Sequence, residues 1–157
     1  MRSDSLQSEA CNVLEWAKLL DLLASYAQSA LGAERCRSLL LEDHLPQAQR
    51  RQQETSDMMR LQSGVDSFPA LRFPNVVEWL RRVAKGACLE LHELRDIALV
   101  LDVIDDVQRY LLRHQADAPT VSAMAAELGS PDEYRRLTMT LKAAIDPDGS
   151  MRESASP

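Results

Sequence analysis

The 157-residue chain is poor in aromatic residues, glycine and cysteine, and each shortage excludes something. Seven aromatic side chains and five glycines stand against 24 leucines, a bias toward helices, because sheets draw on Val, Ile, Tyr and Phe. Gly32, Gly64, Gly86, Gly129 and Gly149 are too widely spaced for a GxxxxGK[ST] or GxGxxG phosphate loop. His44, His92 and His114 are scattered, with no HExxH pair to hold zinc. Cys11, Cys36 and Cys88 are an odd number without a CxxC unit, and read as reduced thiols of a cytoplasmic protein. No apolar run reaches the length that spans a bilayer, and no basic n-region precedes an apolar segment at the N-terminus. A net charge of −6 leaves no global basic field to attract nucleic acid.

The remaining composition, 45% hydrophobic and 27% charged, is that of a globular domain of ordinary size. Its periodicity predicts an all-α fold of about seven helices, an irregular bundle with a polar tail over residues 1–11 and a helical domain over 12–157. Asn12 precedes Val13, Trp16, Leu20, Leu23, Ala27 and Leu31, a near-continuous helical stripe. Glu15 suggests a capping box with Asn12, and Gly32 a stop. A short helix from Ala33 to Leu41 and a polar one from Gln47 to Gln62, opened by Pro46, follow. The latter has only a thin stripe of Ala48, Thr55, Met58, Met59 and Leu61. After a loop over 63–74, Asn75 caps a helix with Val76, Leu80, Val83 and Ala84 inward and Gly86 at its end.

The longest helix is expected over Glu90–Gln115, about 39 Å at 1.5 Å per residue. Ile97, Val100, Leu101, Ile104, Val107 and Leu111 share one arc, and Arg95, Asp102, Asp105, Asp106, Arg109 and Arg113 the other. Leu99 fits neither and is a candidate partner contact, as are Leu39, Leu40 and Leu41. Two shorter helices, Thr120–Leu128 and Asp132–Ile145, follow the break at Pro119. Asp146-Pro147-Asp148-Gly149 then reads as a turn, with Ser150–Pro157 able to supply one strand of a short β-hairpin.

Few residues invite a chemical reading. Asp102, Asp105 and Asp106 resemble a carboxylate cluster, but a mid-helix position beside two arginines makes them a solvated face. His92-Glu93 reads as helix surface, and Asp146 with Asp148 lacks the ligand spacing of a calcium loop. Trp16 and Trp79 lie on apolar faces, where packing outranks base stacking. Arg81, Arg82 and Lys85, with Arg135 and Arg136, could contact phosphates; as basic residues near helix ends they could equally complement helix dipoles. No catalytic residue, metal ligand or cofactor site emerges.

The order of the residues carries more. Leu14-Glu15-Trp16-Ala17-Lys18-Leu19-Leu20, then Leu23-Ala24-Ser25-Tyr26-Ala27, Ser29 and Leu31-Gly32, resembles the opening of the second bacterial MutS branch. That branch is the Smr-bearing relative of the mismatch-repair protein MutS. Glu54-Thr55 is similar to that family's Glu-Thr pair, and Lys85-Gly86-Ala87-Cys88-Leu89 with Glu93-Leu94 to its step into the long helix. Ile145-Asp146, Gly149 and Ala155-Ser156-Pro157 resemble the segment leading into its lever helices. Asn75, Met151 and Glu153 depart from the family pattern, and Phe68 and Phe73 form no Phe-x-Glu wedge.

The resemblance implies an N-terminal, non-catalytic helical core region. The ATPase that binds ATP and magnesium, the clamp and the Smr nuclease of relatives have no counterpart in it. It implies a role in suppressing recombination through branched DNA, or in rescuing collided ribosomes, with DNA or the ribosome engaged by the full-length protein. A free-standing scaffold or homodimer without nucleic-acid binding is the alternative expectation.

Overall fold

A computed structural model describes residues 9–146 and 150–152. Among these residues it is all-α, as the composition predicts. Residues 1–8 of the expected tail, Pro147–Gly149 of the expected turn and the last five residues lie outside the described set; residues 9–13 are helical. Seven longer helices follow: α1 (Trp16–Ser25), α2 (Ala30–Arg37), α3 (Leu45–Ser63), α4 (Val77–Ala84), α5 (Leu91–Arg113), α6 (Pro119–Ala126) and α7 (Pro131–Ala144). The chain divides into two compact units, Met1–Gln49 and Arg50–Pro157, with the boundary inside α3.

In the first unit the predicted continuous helix is cut twice. Glu15 adopts φ 49°, the left-handed region, so it links residues 9–13 to α1 instead of closing a capping box on Asn12. The second break precedes Ser29, an extended residue (φ −131°, ψ 154°) whose hydroxyl accepts the Gly32 N–H at 3.1 Å. Gly32 therefore lies in the first turn of α2, not at a helix end, because a serine cap satisfies an N–H that would otherwise be orphaned. α2 stops at Arg37, and Leu39–Leu41, expected as helix, are irregular. The indole N–H of Trp16 donates to the Leu39 carbonyl (3.2 Å), and Leu20 and Ala24 are the buried residues of α1.

The second unit is organised along α5. Near its start, Ile97 and Leu101 join Val76 in a cluster flanked by Trp79, Leu89, Val100, Tyr134 and Leu141. Toward its end, Tyr110 and Leu111 join Leu61, Ala118 and Ala125, with Met58, Phe68, Val107 and Val121 against them. One predicted stripe thus serves two successive cores. The inward side of α4 differs from expectation: Val76 and Trp79 face the core, whereas Leu80 and Val83 are exposed. The cap of α4 is Val76, without a side-chain cap bond, and not the expected Asn75, which stands one residue earlier and accepts the Val77 N–H on its Oδ1 at 3.1 Å.

Asp57 of α3 is fully buried. Its Oδ2 accepts the N–H groups of Thr120 (2.7 Å) and Val121 (3.2 Å) at the start of α6, where Pro119 occupies the first turn. Gln53 and Arg60 donate to Oδ1, and Arg60 Nε also donates to the Asp117 carbonyl at 2.7 Å. Burial pushes the Asp57 carboxyl up, but the bonds from Gln53, Val121 and Thr120 outweigh it and hold the group below its ordinary value. α3 is in this way tied to α6 by a carboxylate standing in for a cap.

The α5 start is a reciprocal capping box between Glu90 and Glu93, Glu93 Oε2 accepting the Glu90 N–H at 2.9 Å. Glu93 is buried, correcting its assignment to the helix surface. Its neighbour His92 is exposed, with its ring edge-on to Trp79 at 6.1 Å between centroids. Of the expected hairpin after α7, the described residues show one antiparallel bridge, Ile145 to Met151. The Asp146 N–H meets the Ser150 carbonyl and the Arg152 N–H the Ala144 carbonyl, both at 2.9 Å.

Candidate functional site

α7 follows Ser130 at its cap position and carries Pro131, Asp132 and Glu133 in its first turn and Lys142 in its last, an arrangement that complements its dipole. It lies against α5 through ion pairs. Lys142 Nζ is 2.6 Å from Asp102 Oδ2, and Arg135 Nη2 is 3.2 Å from Asp105 Oδ1. Arg109 reaches Asp105 at 2.8 Å, the i, i+4 pair visible in the sequence. Asp102 and Asp105 consequently face α7, which corrects the reading of this arc as simple solvated surface; Asp106 alone of the three is exposed.

Beside these pairs α5, the end of α7 and the residues just after it line a groove of about 540 Å³. Its floor is Ala98, Leu99, Leu141 and Ile145. Its rim carries Arg95 beside Asp96, Lys142 with Asp102, and Arg152 with Asp146 at 2.8 Å. Leu99, the residue that misfits the helical wheel, is thus part of an apolar floor. Each rim cation has an acidic neighbour, so the groove presents alternating charge instead of a positive field. Of the other apolar candidates, Leu40 is 83% exposed, and Leu39 and Leu41 are half-buried.

The basic candidates separate by commitment. Arg82 donates to Glu93 Oε1 at 2.6 Å and to the Cys88 carbonyl at 3.3 Å. The Glu90 N–H, then the Arg82 guanidinium, holds the Glu93 carboxyl below its ordinary value against the opposing effect of burial. Arg82 is therefore structural, since its loss would strand a buried carboxylate. Arg135 is shared between Asp105 and Asp132. Arg81 pairs with Glu78 on the surface, an exchangeable i, i+3 contact. Lys85, just past α4, and Arg136 on α7 are exposed and have no ion pair among the described residues.

Among the described residues there is no group of three or more His, Cys, Asp or Glu that could hold a metal ion. Among the described residues no helix is long and apolar enough to cross a membrane. The three cysteines are free, Cys88 being exposed.

Sequence reasoning missed Asp57 and Glu93. A signal for Asp57 existed, since Gln53, Asp57 and Leu61 recur at i, i+4 and i+8 on one face. For Glu93 the signal was Glu90 three residues earlier, though glutamate is an uncommon cap.

Comparison with known proteins returns one consistent name. Over 152 residues, 97% of this chain, it is 28% identical to a protein named endonuclease MutS2 from Symbiobacterium thermophilum, of which it covers 19%. Identity and coverage are the same for the endonuclease MutS2 of Pelotomaculum thermopropionicum. That of Lactiplantibacillus plantarum is 28% identical over 157 residues, with 20% of its length covered. The chain spans about a fifth of the length of these curated relatives. The similarity supports a MutS2-related family. No protein-family model and no solved structure matches.

Proposed function

We propose that this chain acts as a non-catalytic helical core segment of a MutS-like protein, contributing phosphate contacts through Lys85, Arg136 and the exchangeable Arg81. The observation that carries this reading is the similarity along 97% of the chain to about a fifth of proteins named for a MutS2 endonuclease. In this reading ATP, magnesium and bond cleavage belong to parts of the relatives that the chain does not cover. The segment serves a protein that acts on branched DNA to suppress recombination, or on collided ribosomes, in the bacterial cytoplasm. Its own part is to join and orient, with few phosphate contacts, because most of its arginines are engaged by carboxylates.

The test is fluorescence anisotropy of labelled four-way-junction DNA titrated with the chain at low and moderate salt. Three phosphate contacts predict a slope of log K against log salt of roughly −3. The double variant Lys85→Glu, Arg136→Glu should abolish binding while leaving the fold intact, since neither side chain holds a partner in place. Absence of binding at low salt, or binding indifferent to the double variant, refutes phosphate contact by this segment. Arg82→Glu is unsuitable as a probe because it would strand Glu93.

A second reading, self-association, is favoured by the exposed Leu40 and by Leu99 in the α5–α7 groove. Sedimentation of Leu40→Asp and Leu99→Asp variants decides it: a wild-type oligomer should become a folded monomer. An unchanged mass removes these residues from any interface.

A further inference from the structure

α1 has two unlike sides. Leu20 and Ala24 are buried, whereas Leu19, Leu22 and Leu23, with Tyr26 at the C-cap, are 49%, 56%, 43% and 76% exposed. At 100° per residue these four fall within an arc of about 100°, turned away from Ala24. At those exposures they present on the order of 500 Å² of largely apolar surface, a patch size that on a monomer often marks an interaction site.

The charges at the border narrow what can cover this stripe. Lys18 is paired with Glu15 at 2.6 Å and Asp21 with Arg37 at 3.0 Å, so the border carries no net field of either sign. A nucleic acid finds no uncommitted cation there. A membrane surface calls for Lys or Arg along the polar face of a helix, where α1 has Lys18 alone. An uncharged, apolar helix face of a protein fits, and α1 is itself such a face.

The register and the dipole both select a second copy. Positions 19, 22, 23 and 26 are symmetric about a point between Leu22 and Leu23. A twofold at that point sets Leu19 against the partner's Tyr26 and Leu22 against the partner's Leu23, leaving no stripe residue open. α1 has no basic residue in its last turn and carries Lys18 in its first, the end where a cation is unfavourable. In the antiparallel pair Lys18 stands opposite the partner's Ala27, at the helix end that lacks a cation. A parallel pair would set Lys18 beside the partner's Lys18 and leave both dipoles uncorrected. Two stripes bury about 1,000 Å² in total, near the lower bound for a specific interface, so the association is a weak one.

We propose that two copies of this chain associate through an antiparallel, twofold α1–α1 contact built on Leu19, Leu22, Leu23 and Tyr26 and oriented by Lys18. The contact uses neither Leu40 nor Leu99, so it stands or falls apart from those residues.

Sedimentation equilibrium of the whole chain, from micromolar to millimolar concentration, should show a reversible monomer–dimer equilibrium. Leu22→Asp should give a monomer at every concentration with unchanged far-UV circular dichroism, and Leu40→Asp should leave the equilibrium as it is. If Leu22→Asp loses helicity, Lys18→Glu carries the test from a side chain that is 77% exposed. It should weaken association by about 3–30-fold, since one misplaced charge per copy then meets each helix end. In a mixture of isotope-labelled and unlabelled chain, filtered NOEs should join the Tyr26 ring to the Leu19 methyls of the other copy. A wild-type chain that stays monomeric at millimolar concentration, a dimer that survives Leu22→Asp, or NOEs joining Tyr26 to the partner's Tyr26 would each overturn the proposal.

Discussion

The two compact units handle hydrophobic surface in opposite ways. In the second, α5 supplies two cores, and buried polar groups such as Asp57, Glu93 and Ser122 are bonded within it. In the first, α1 is rich in leucine, yet Leu20 and Ala24 are its buried residues while Leu19, Leu22, Leu23 and Tyr26 are exposed at i, i+3, i+4 and i+7 spacing. Leucine content therefore reports the demand for burial, and the topology decides whether it is met. The second unit has the organisation of a self-supporting domain. The first has one packed face on α1 and a second apolar stripe open.

The largest effects should fall where polar groups are buried in the second unit. Asp57→Ala leaves the Thr120 and Val121 N–H groups without their acceptor and Arg60 with only the Asp117 carbonyl. We expect a loss of about 3 kcal/mol in urea unfolding, with α6 the first element to lose amide protection. A leucine pair sharpens the same contrast. Leu111→Ala should cost about 3 kcal/mol, while Leu22→Ala on the open stripe of α1 should cost less than about 0.5 kcal/mol. Similar costs for both would erase the distinction between the units.

Acid should act on the second unit. Asp57 and Glu93 both titrate below their ordinary values of 3.8 and 4.5. Below those values the unfolded chain takes up protons that the folded chain does not. Their stabilisation is therefore complete above about pH 5 and lost as pH falls through the folded values. Urea midpoints measured from pH 7 to pH 3 should be flat at first and then decline, and Asp57→Asn should shallow the decline. A small effect is also expected from Asp105→Ala, whose partners Arg109 and Arg135 are both half in solvent: roughly 0.5 kcal/mol in the same assay.

The legible parts of the sequence were those with strong period and strong punctuation. α5 and α7 fall within a few residues of expectation because Ile97, Leu101 and Leu111 recur at helical spacing and because Pro131 marks the start of α7. Both breaks in the expected first helix were hidden, since the apolar period runs on through a left-handed glutamate ahead of α1 and through the serine cap between α1 and α2. Buried Asp57, Glu93 and Gln108 were hidden for a different reason. Their residue types are usually exposed, and only partners brought in by the fold make burial tolerable. The basic candidates were visible as a cluster, but the commitment of Arg82 to a carboxylate eleven residues away was not.

Native-state hydrogen exchange of the whole chain tests the contrast between the units most directly. The account predicts that amides of α5 around Leu101 and Leu111 exchange only through global unfolding, while those of α1 around Leu20 and Ala24 exchange through local opening, orders of magnitude faster. Equal protection of α1 and α5 would contradict it.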